Sequence, residues 1–409
     1  MRAMKDSKVE WVGQIPVGWR TIRTKYVVSI MNGCDPKTEG ETPVYGSGGS
    51  SFKTCGEYKK GPTVLLGRKG TVDVPQFVDG RYWNVDTAFD TRIKNSAFSI
   101  EYFYRLAQCF DYKYYTMTTT LPSMTQTNYG EIVLPFPSLT EQDNICLYLQ
   151  KQTATIDALI AAKEKTNVLL KERRQSLIYE AVTKGLDPTV PMKGSGIPWL
   201  GQIPENWTTW RMKHLAESPL QYGANATGIE YDSDLPRYVR ITDITDDGRL
   251  RNEGKQSLPY EIAADYLLVD GDVLFARSGA TSGKSFYYHE SDGNCCFAGY
   301  LIRFRADKNK VNSKLLYYYT LTQAYEQWTQ QIFIQATIQN ISAEKYNNLV
   351  FAIPATMEEQ NQIVQHLDAK CSEIDQIISM NEDTIQRLKE YRQSLIYEAV
   401  TGKIEVENV

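Results

Sequence analysis

Apolar side chains recur every seven residues in residues 141–184, a stretch without proline or glycine. They return with the same spacing near the C-terminal end. The recurring positions are Leu149, Ile156, Leu170 and Leu177 in the first series and Leu367, Ile374, Leu388 and Leu395 in the second. Heptad spacing predicts two long helices that pair along a coiled-coil seam. A helix of about 40 residues spans roughly 60 Å, which is more typical of a spacer than of a core helix.

The heptad position in the middle of each series is polar. It is Lys163 in the first series and Asn381 in the second. If the helices run antiparallel, these two side chains meet near the centre, where a buried polar pair would fix the register. Alternatively, the Lys163 side chain extends to solvent, and Asn381 occupies its heptad position without any role in fixing the register. The sequence leaves both interpretations open.

The chain contains an internal repeat. The stretch RQSLIYEAVT occupies positions 174–183 and returns unchanged at 392–401. A second repeated motif, Gly-Gln-Ile-Pro between two tryptophans, surrounds Gly13 and Gly201. These repeats identify a tandem duplication. Because the motif around Gly201 follows the first helix, we expect the motif around Gly13 to lie beside the end of the second helix, with the chain termini close together.

Between these repeats, short hydrophobic runs alternate with turns. Residues 63–68 and 83–93 have the pattern of strands, and residues 99–108 have that of a helix with an N-terminal Ser cap. The second half repeats this order with a strand at 300–305 and a helix at 313–322. We therefore predict an α+β fold, in which two pseudo-symmetric α/β domains are separated by two long antiparallel coiled-coil helices. The predicted boundaries are 1–136 and 186–353 for the globular domains and 137–185 and 354–409 for the helical segments.

Composition and charge narrow the class of protein. The chain has 409 residues, of which 42% are hydrophobic and 23% charged, as is ordinary for a soluble protein with two cores. No apolar run approaches the roughly 18 residues that span a bilayer, so we expect a cytoplasmic protein without membrane contact. Seven scattered cysteines without a CxxC motif indicate reduced thiols rather than disulfides or zinc. The net charge of −4 means that a nucleic-acid role needs local basic patches or a basic partner.

Motifs for catalysis are absent from the sequence. The three histidines, His214, His289 and His366, have no metal-ligand spacing. Residues 279–285, GATSGKS, resemble a phosphate-binding loop, but they have one residue too few between the glycines. The Phe-Tyr-Tyr stretch that follows predicts a strand instead of the helix needed to cradle phosphate. We therefore expect a β-hairpin tip or surface loop, equivalent to residues 68–71 in the first half.

Basic and hydroxyl side chains beside glycines suit contacts with DNA phosphates or guanine edges. Polar segments at residues 116–127 and 335–340 precede the two helices, and their Gln and Thr side chains suit adenine and thymine edges. A solvated loop is the alternative for both segments. The DNA-contact candidates are Arg68, Lys69, Thr71, Thr118, Thr120 and Gln126 in the first half, and Arg240, Arg277, Ser278, Thr281, Lys284, Gln335, Thr337 and Gln339 in the second.

The pattern resembles the specificity subunit of type I restriction-modification systems. The resemblance covers nearly the whole chain. It rests on the Gly-Gln-Ile-Pro and Trp motifs, the stretch 271–284, the Pro/Glu-Gln entry to each long helix and the repeated helix terminus. It implies two target-recognition domains that each read one half of a split, asymmetric site on double-stranded DNA, with the helices fixing the gap. The first half departs from the family pattern, since residues 67–72 lack the longer Gly-Ala-Thr-x-Gly-Lys form.

The resemblance also implies partners. Two adenine-methylating modification subunits would dock onto the chain, with the heptad residues, Lys163 and Asn381 forming the spacer and docking region, and ATP-driven restriction and translocation subunits would be recruited. The chain itself would be non-catalytic and hold no cofactor, whereas S-adenosylmethionine, ATP and magnesium would bind to the partner subunits. Two other classes stay open: a coiled-coil adaptor with two protein-binding heads, and a nucleotide-binding protein that uses Lys284.

Overall fold

The computed structural model describes residues 2–116, 121–245, 248–334 and 340–406. The chain divides into two compact units. Unit 1 consists of Met1–Lys165 and Asn381–Val409, and unit 2 consists of Thr166–Met380. Each unit therefore joins one mixed domain to parts of both long helices, as a cyclic duplication requires.

Unit 1 starts with a mixed domain of short strands and helices. Its strands are β1 (Met4–Asp6), β2 (Gln14–Pro16), β3 (Arg20–Arg23), β4 (Val28–Asn32), β5 (Thr42–Tyr45), β6 (Ser51–Cys55), β7 (Lys59–Lys60), β8 (Thr63–Gly67), β9 (Gln76–Val78), β10 (Arg81–Asn84), β11 (Ala88–Ile93) and β12 (Val133–Phe136). Its helices are α1 (Ile100–Ala107), α2 (Tyr112–Tyr115) and α3 (Gln126–Glu131), followed by the start of the first long helix, α4 (Leu139–Lys184). One four-stranded sheet has the order β4-β11-β8-β9, and another has the order β6-β5-β10-β7.

Helix α1 confirms the predicted helix and its cap. The Ser99 hydroxyl accepts a hydrogen bond from Tyr102 N at 3.4 Å, which satisfies one of the free amides of the first turn. The buried face of α1 carries Tyr102, Phe103 and Leu106, which join Leu66 of β8 in the core of unit 1. Each such buried side chain stabilises the fold by about 1.5–3 kcal/mol.

The strand predicted at 83–93 is wrong as a single element. Strand β10 ends at Asn84 and β11 begins at Ala88, and the two strands belong to different sheets. A turn separates them, closed by a hydrogen bond of 3.1 Å from Ala88 N to Val85 O. The buried Asn84 side chain also donates to Ala88 O at 2.8 Å. A local side-chain bond to the backbone thus replaces continued strand pairing at this point.

Unit 2 repeats this arrangement with a larger domain. Its strands are β13 (Met192–Gly194), β14 (Gln202–Pro204), β15 (Trp207–Arg211), β16 (Gln221–Tyr222), β17 (Ile229–Glu230), β18 (Arg237–Val239), β19 (Gln256–Ser257), β20 (Val273–Ala276), β21 (Ser285–Tyr287), β22 (Cys295–Phe297), β23 (Leu301–Phe304) and β24 (Val350–Pro354). Its helices are α5 (Met212–Leu215), α6 (Tyr260–Ala263), α7 (Ser313–Thr320), α8 (Gln323–Ile334), α9 (Ala343–Asn347) and the start of the second long helix, α10 (Met357–Val400). Its two four-stranded sheets have the orders β16-β23-β20-β21 and β17-β19-β18-β22.

The strand and helix predicted in the second half match β23 and α7. The predicted hairpin at residues 279–285 is confirmed as well, because β20 pairs antiparallel with β21, with Val273 opposite Tyr287. The glycine-rich stretch forms the connecting turn and leads into a strand. A helix N-terminus that could cradle a phosphate therefore does not follow Lys284.

The long helices pair antiparallel within unit 1. Leu149 and Ile156 of α4 share one buried cluster with Ile385 and Leu395 of α10. The Lys163 ammonium donates a hydrogen bond to Asn381 Oδ1 at 3.0 Å, so the two central polar positions meet as the antiparallel interpretation predicts. In the same unit, Arg392 Nε lies 2.9 Å from an oxygen of Asp157.

Unit 2 contains the matching helical segments. Ile178 and Val182 of α4 pack with Ile363 and Leu367 of α10, and Arg174 Nε lies 3.2 Å from an oxygen of Asp375. Among the predicted spacer residues, the buried ones are Leu149, Ile156, Leu367, Ile374, Asn381 and Leu395, and the half-buried ones are Lys163, Leu170, Leu177 and Leu388. The helices lie inside the predicted segments 137–185 and 354–409, whose boundaries as domains stay a prediction.

The repeated sequence motifs make the same contacts in each unit. In unit 1, Trp19 Nε1 donates to Glu141 Oε1 at 3.2 Å, and the neighbouring Gln142 accepts from Ser99 N at 2.7 Å. In unit 2, Trp207 Nε1 donates to Glu359 Oε1 at 2.8 Å, and Gln360 accepts from Asn312 N at 2.8 Å. The Glu-Gln pair that opens each long helix therefore ties that helix to the tryptophan motif and to α1 or α7.

The motif around Gly13 lies beside the end of α10, as expected. The Tyr397 hydroxyl donates to Val12 O at 3.3 Å, and the Tyr102 hydroxyl donates to Val400 O at 2.8 Å. Gly402 packs so closely against Pro16 that an added Cβ would lie 2.6 Å from the proline ring. Segments near the two ends of the chain are thus in contact within unit 1.

Within the described ranges, no helix is both long and apolar enough to cross a bilayer. The cysteines of these ranges are free thiols. Burial raises the pKa of Cys109, Cys146, Cys295 and Cys296 to about 12. Such thiols are protonated and unreactive at neutral pH.

Candidate nucleic-acid interface

In unit 1, three separate segments meet at the end of β8. Arg68 N donates to Thr87 O at 2.8 Å, which sets the loop of residues 68–71 beside the turn between β10 and β11. Lys69 then pairs with Ser123 as an antiparallel β-bridge. The flanking bonds run from Gly70 N to Pro122 O at 2.9 Å and from Met124 N to Arg68 O at 2.9 Å. The predicted basic loop and part of the predicted polar segment are therefore neighbours.

Helix α3 follows this bridge directly and fixes its position. The Thr125 hydroxyl caps α3 by accepting from Asn128 N at 3.1 Å. The buried Tyr129 hydroxyl donates to Gly67 O at 2.8 Å and so ties α3 to the end of β8. Gln126, exposed in the first turn, donates to Asn32 Oδ1 at 3.3 Å.

The candidate side chains on this unit 1 surface differ in their exposure and in their contacts with neighbouring residues. The Arg68 guanidinium donates to Asp86 O at 3.2 Å and lies 3.9 Å from the Asp86 carboxylate. Lys69 and Thr71 are exposed. The Gly-Ser tip of the β5–β6 hairpin adjoins them, because Ser47 Oγ lies 3.6 Å from the place of a Cβ on Gly70. Thr118 and Thr120 lie outside the described residues.

Unit 2 builds the same scaffold from different side chains. Arg277 N donates to Tyr300 O at 3.0 Å, as Arg68 does to Thr87. Ser278 pairs with Asn340 as a β-bridge, and Ile341 N donates to Arg277 O at 2.8 Å. The Ser342 hydroxyl then caps α9 by accepting from Lys345 N at 3.3 Å.

The Arg277 side chain lies against an aromatic ring in a cleft of unit 2. Its guanidinium carbon is 4.8 Å from the centre of the Tyr222 ring. The Tyr222 hydroxyl accepts from Ala343 N at 3.0 Å, so this ring is held at the first turn of α9. The cleft has a volume of about 790 Å³, and Arg240, Gln256 and Tyr300 also line it. It is large enough to admit the edges of nucleobases.

Other predicted candidates of unit 2 lie elsewhere or are already engaged. Arg240 makes two side-chain hydrogen bonds to Asp243, at 3.0 and 2.8 Å, and these raise the pKa of its guanidinium. Lys284 lines a separate cleft of about 390 Å³ with Tyr325 and Glu326. Thr281 Oγ1 is buried and has no hydrogen-bond partner among the described residues. Gln335, Thr337 and Gln339 lie outside the described residues.

The structure singles out Ser123 and Asn340 within the predicted polar segments. It also adds Asn32 in unit 1 and Tyr222 and Tyr300 in unit 2, which sequence reasoning did not select. A signal for the first two residues was present, because residues 123–129 align with 340–346, each having a Ser or Thr cap and a tyrosine at matching positions. Strand β4 contributes to the surface of unit 1 and β16 to the cleft of unit 2. Neither strand had such a signal in the sequence, because both contributions depend on sheet pairing.

Clusters of metal-ligating side chains were not found among the described residues. These residues contain no group of three or more His, Cys, Asp or Glu side chains that could hold a metal ion. What the clusters in each unit provide is a set of arginine, amide, hydroxyl and aromatic groups, which suits recognition of a polar surface.

Comparisons with known proteins agree with this picture. A family model described as the type I restriction modification DNA specificity domain matches residues 16–169 and 204–390. The chain is 22% identical over 300 residues to the type I restriction enzyme MjaVIII specificity subunit of Methanocaldococcus jannaschii, covering 72% of this chain and 67% of that protein. It is 25% identical over 282 residues to the StySPI specificity subunit of Salmonella potsdam, covering 68% of this chain and 58% of that protein.

Solved structures show the same fold. A chain from a study of complex assembly and conformational transition of the type I R-M system matches with a TM-score of 0.67 and 17% identity, covering 95% of this chain and 99% of that chain. The HsdS subunit from Thermoanaerobacter tengcongensis matches with a TM-score of 0.51 and 16% identity, covering 95% and 98%.

Proposed function

Because the chain belongs to the family of type I restriction modification DNA specificity domains, we propose that it is the sequence-reading, non-catalytic subunit of a type I restriction-modification complex. Each unit reads one half of a bipartite, asymmetric site on double-stranded DNA. Partner subunits then methylate adenine or cleave the DNA. This chain determines which DNA sequence is recognised, and its partners catalyse the reactions.

One observation carries the proposal: equivalent backbone bridges in the two units display different side chains. Unit 1 presents Lys69 and Ser123 where unit 2 presents Ser278 and Asn340. A conserved scaffold with exchanged side chains supports two readers of unlike sequence, since base edges are distinguished by their donor and acceptor patterns.

The long helices act as the spacer between the half-sites. Helix α4 has 46 residues and α10 has 44, and both are unbroken. The hydrogen bond between Lys163 and Asn381, together with the Arg392–Asp157 ion pair, supports a single antiparallel register. A fixed register makes the distance between the half-sites a property of the helices.

The partners of the chain are two methyltransferase subunits and, in the restricting complex, ATP-driven restriction and translocation subunits. S-adenosylmethionine, ATP and magnesium bind to those partners. The net charge of −4 supports a division of labour, in which the partners supply much of the phosphate neutralisation. We therefore expect the isolated chain to bind DNA weakly and with strong salt dependence.

Long-read methylation mapping of cells that express the assembled system tests the proposal. The expected result is methylated adenine in a single bipartite motif with a fixed gap. A chain that co-purifies with partners but directs no DNA methylation would support the adaptor class instead. Tight, sequence-specific DNA binding by the isolated chain would contradict the shared role of the partners.

A further inference from the structure

Arg277 is a half-buried cation for which the described residues of unit 2 supply no ion-pair partner. Among the described residues, no group accepts a hydrogen bond from its guanidinium, and its Nε is buried. Nearby arginines with buried or half-buried side chains are engaged: Arg237 with Arg251 O, Arg240 with Asp243, Arg303 with Leu267 O and Arg305 with Asp272. Since a buried polar atom without a partner is costly, this guanidinium is suited to an acceptor that a bound ligand supplies.

Tyr222 holds the Arg277 guanidinium in place. The guanidinium carbon lies over the ring, 4.8 Å from its centre, and the ring itself is anchored by the hydrogen bond that its hydroxyl accepts from Ala343 N. A ring over the guanidinium shields one of its faces, while the N–H groups remain at the edge of the guanidinium plane. A guanidinium held in this way is pre-organised to donate two parallel hydrogen bonds to a ligand that has two acceptors side by side.

Unit 1 provides the contrast at the equivalent position. Arg68 has Asp86 as its neighbour, with the carboxylate 3.9 Å away. Matching turn bonds, from Ala88 N to Val85 O and from Leu301 N to Ala298 O, align Asp86 with Gly299. Unit 2 therefore lacks the carboxylate that accompanies the arginine of unit 1.

We propose that Arg277 reads a guanine in the half-site bound by unit 2, donating two hydrogen bonds to its O6 and N7, with Tyr222 as the positioning residue. This inference rests on the proposed function and adds a base identity to it. A guanine edge fits better than a phosphate, because the guanidinium is half-buried in a cleft and lies over an anchored ring, whereas phosphate contacts need only an exposed positive charge. Tyr300, which is 62% exposed, forms the rim of the cleft.

The test uses the assembled methyltransferase with its mapped site. Guanines of the site are replaced one at a time by 7-deazaguanine, which lacks the N7 acceptor, and binding to each duplex is compared. We expect one guanine of one half-site to lose affinity on replacement. The same guanine should lose its sensitivity in Arg277→Ala, which removes both donors. The control variant Arg211→Ala, an exposed arginine at the end of β15 outside the cleft, should keep the wild-type pattern.

The variants should also change the methylated motif. With Arg277→Ala, discrimination at that position should fall by about 5- to 150-fold, the worth of a bidentate base contact. Tyr222→Ala should have a similar effect, and Tyr222→Phe should keep most of the discrimination because the ring remains. A merely structural role of Tyr222 would lower methylation equally at all sequences.

Three outcomes would overturn the proposal. They are a wild-type motif without a G·C pair in the half-site bound by unit 2, insensitivity of every guanine to 7-deaza replacement in the wild-type complex, and a 7-deaza penalty that persists in Arg277→Ala. A uniform loss of affinity with the motif unchanged would identify Arg277 as a phosphate contact. If the wild-type complex methylates no bipartite site, the proposed function itself fails, independently of Arg277.

Discussion

Gln142 offers the sharpest test of how the repeated Glu-Gln pair joins a long helix to its domain. Its side chain is fully buried, and it accepts from Ser99 N at 2.7 Å while donating to Ala97 O at 2.9 Å and Pro137 O at 3.1 Å. The substitution Gln142→Met preserves length and volume but removes all three hydrogen bonds. It should therefore loosen the start of α1 from the start of α4.

The magnitude follows from the number of bonds and their burial. A net hydrogen bond contributes about 1 kcal/mol, and a buried group left unpaired costs about 1–3 kcal/mol. Two of the three bonds are only partly buried, so water can replace some of the loss. We expect a destabilisation of about 2–4 kcal/mol, which corresponds to roughly a 30- to 700-fold increase in local opening.

Amide hydrogen exchange measured by mass spectrometry reads this opening directly. Peptides that contain Ser99 and the first turn of α1 should exchange faster in Gln142→Met, because Ser99 N has lost its acceptor. The control is Gln150→Met, the same change at an exposed position of α4. In unit 2, Gln360→Met should act in the same way on Asn312. Equal protection in Gln142→Met and Gln150→Met would refute the reasoning.

Three further predictions concern the helices and their ends. Burial opposes ionisation of Glu141, but hydrogen bonds from Arg2, Trp19 and Ser138 outweigh it and lower its pKa from 4.5. The carboxylate therefore stabilises unit 1 above pH 4.5 and loses this effect as the pH falls through the lowered pKa. In Glu141→Gln, the free energy of unfolding measured with urea should fall less steeply below pH 4.5 than in the wild type. An unchanged pH dependence would contradict this. Arg392→Asp should destabilise by about 0.5–1 kcal/mol, since its ion pair with Asp157 is partly exposed. Adding Asp157→Arg should restore the urea midpoint, and a further loss in the double variant would argue against the pair. Replacing both Lys163 and Asn381 by Leu should leave the melting temperature equal or higher but permit other registers and pairing between chains. Light scattering that shows only monomer, with the gap of the methylated motif unchanged, would speak against a register role.

Local periodicity in the sequence determined the long helices. The heptad recurrence of Leu149, Ile156, Leu367 and Ile374 predicted a coiled-coil seam, which the structure confirms, and the contact between Lys163 and Asn381 shows that the helices run antiparallel. Such patterns can be read from sequence because helix geometry brings residues a fixed number of positions apart to one face.

The composition of the recognition surfaces depended on tertiary structure. The sequence identified Arg68 and Arg277 as candidates for DNA contact. It could not show that Arg68 lies beside the Asp86 carboxylate or that Arg277 lies over the Tyr222 ring. It also could not show that Asp243 engages Arg240. These differences arise where distant segments pair, as Ser278 does with Asn340. A pattern along the chain specifies which face a side chain takes within its own element, whereas its neighbours from other elements are decided only when the sheets assemble.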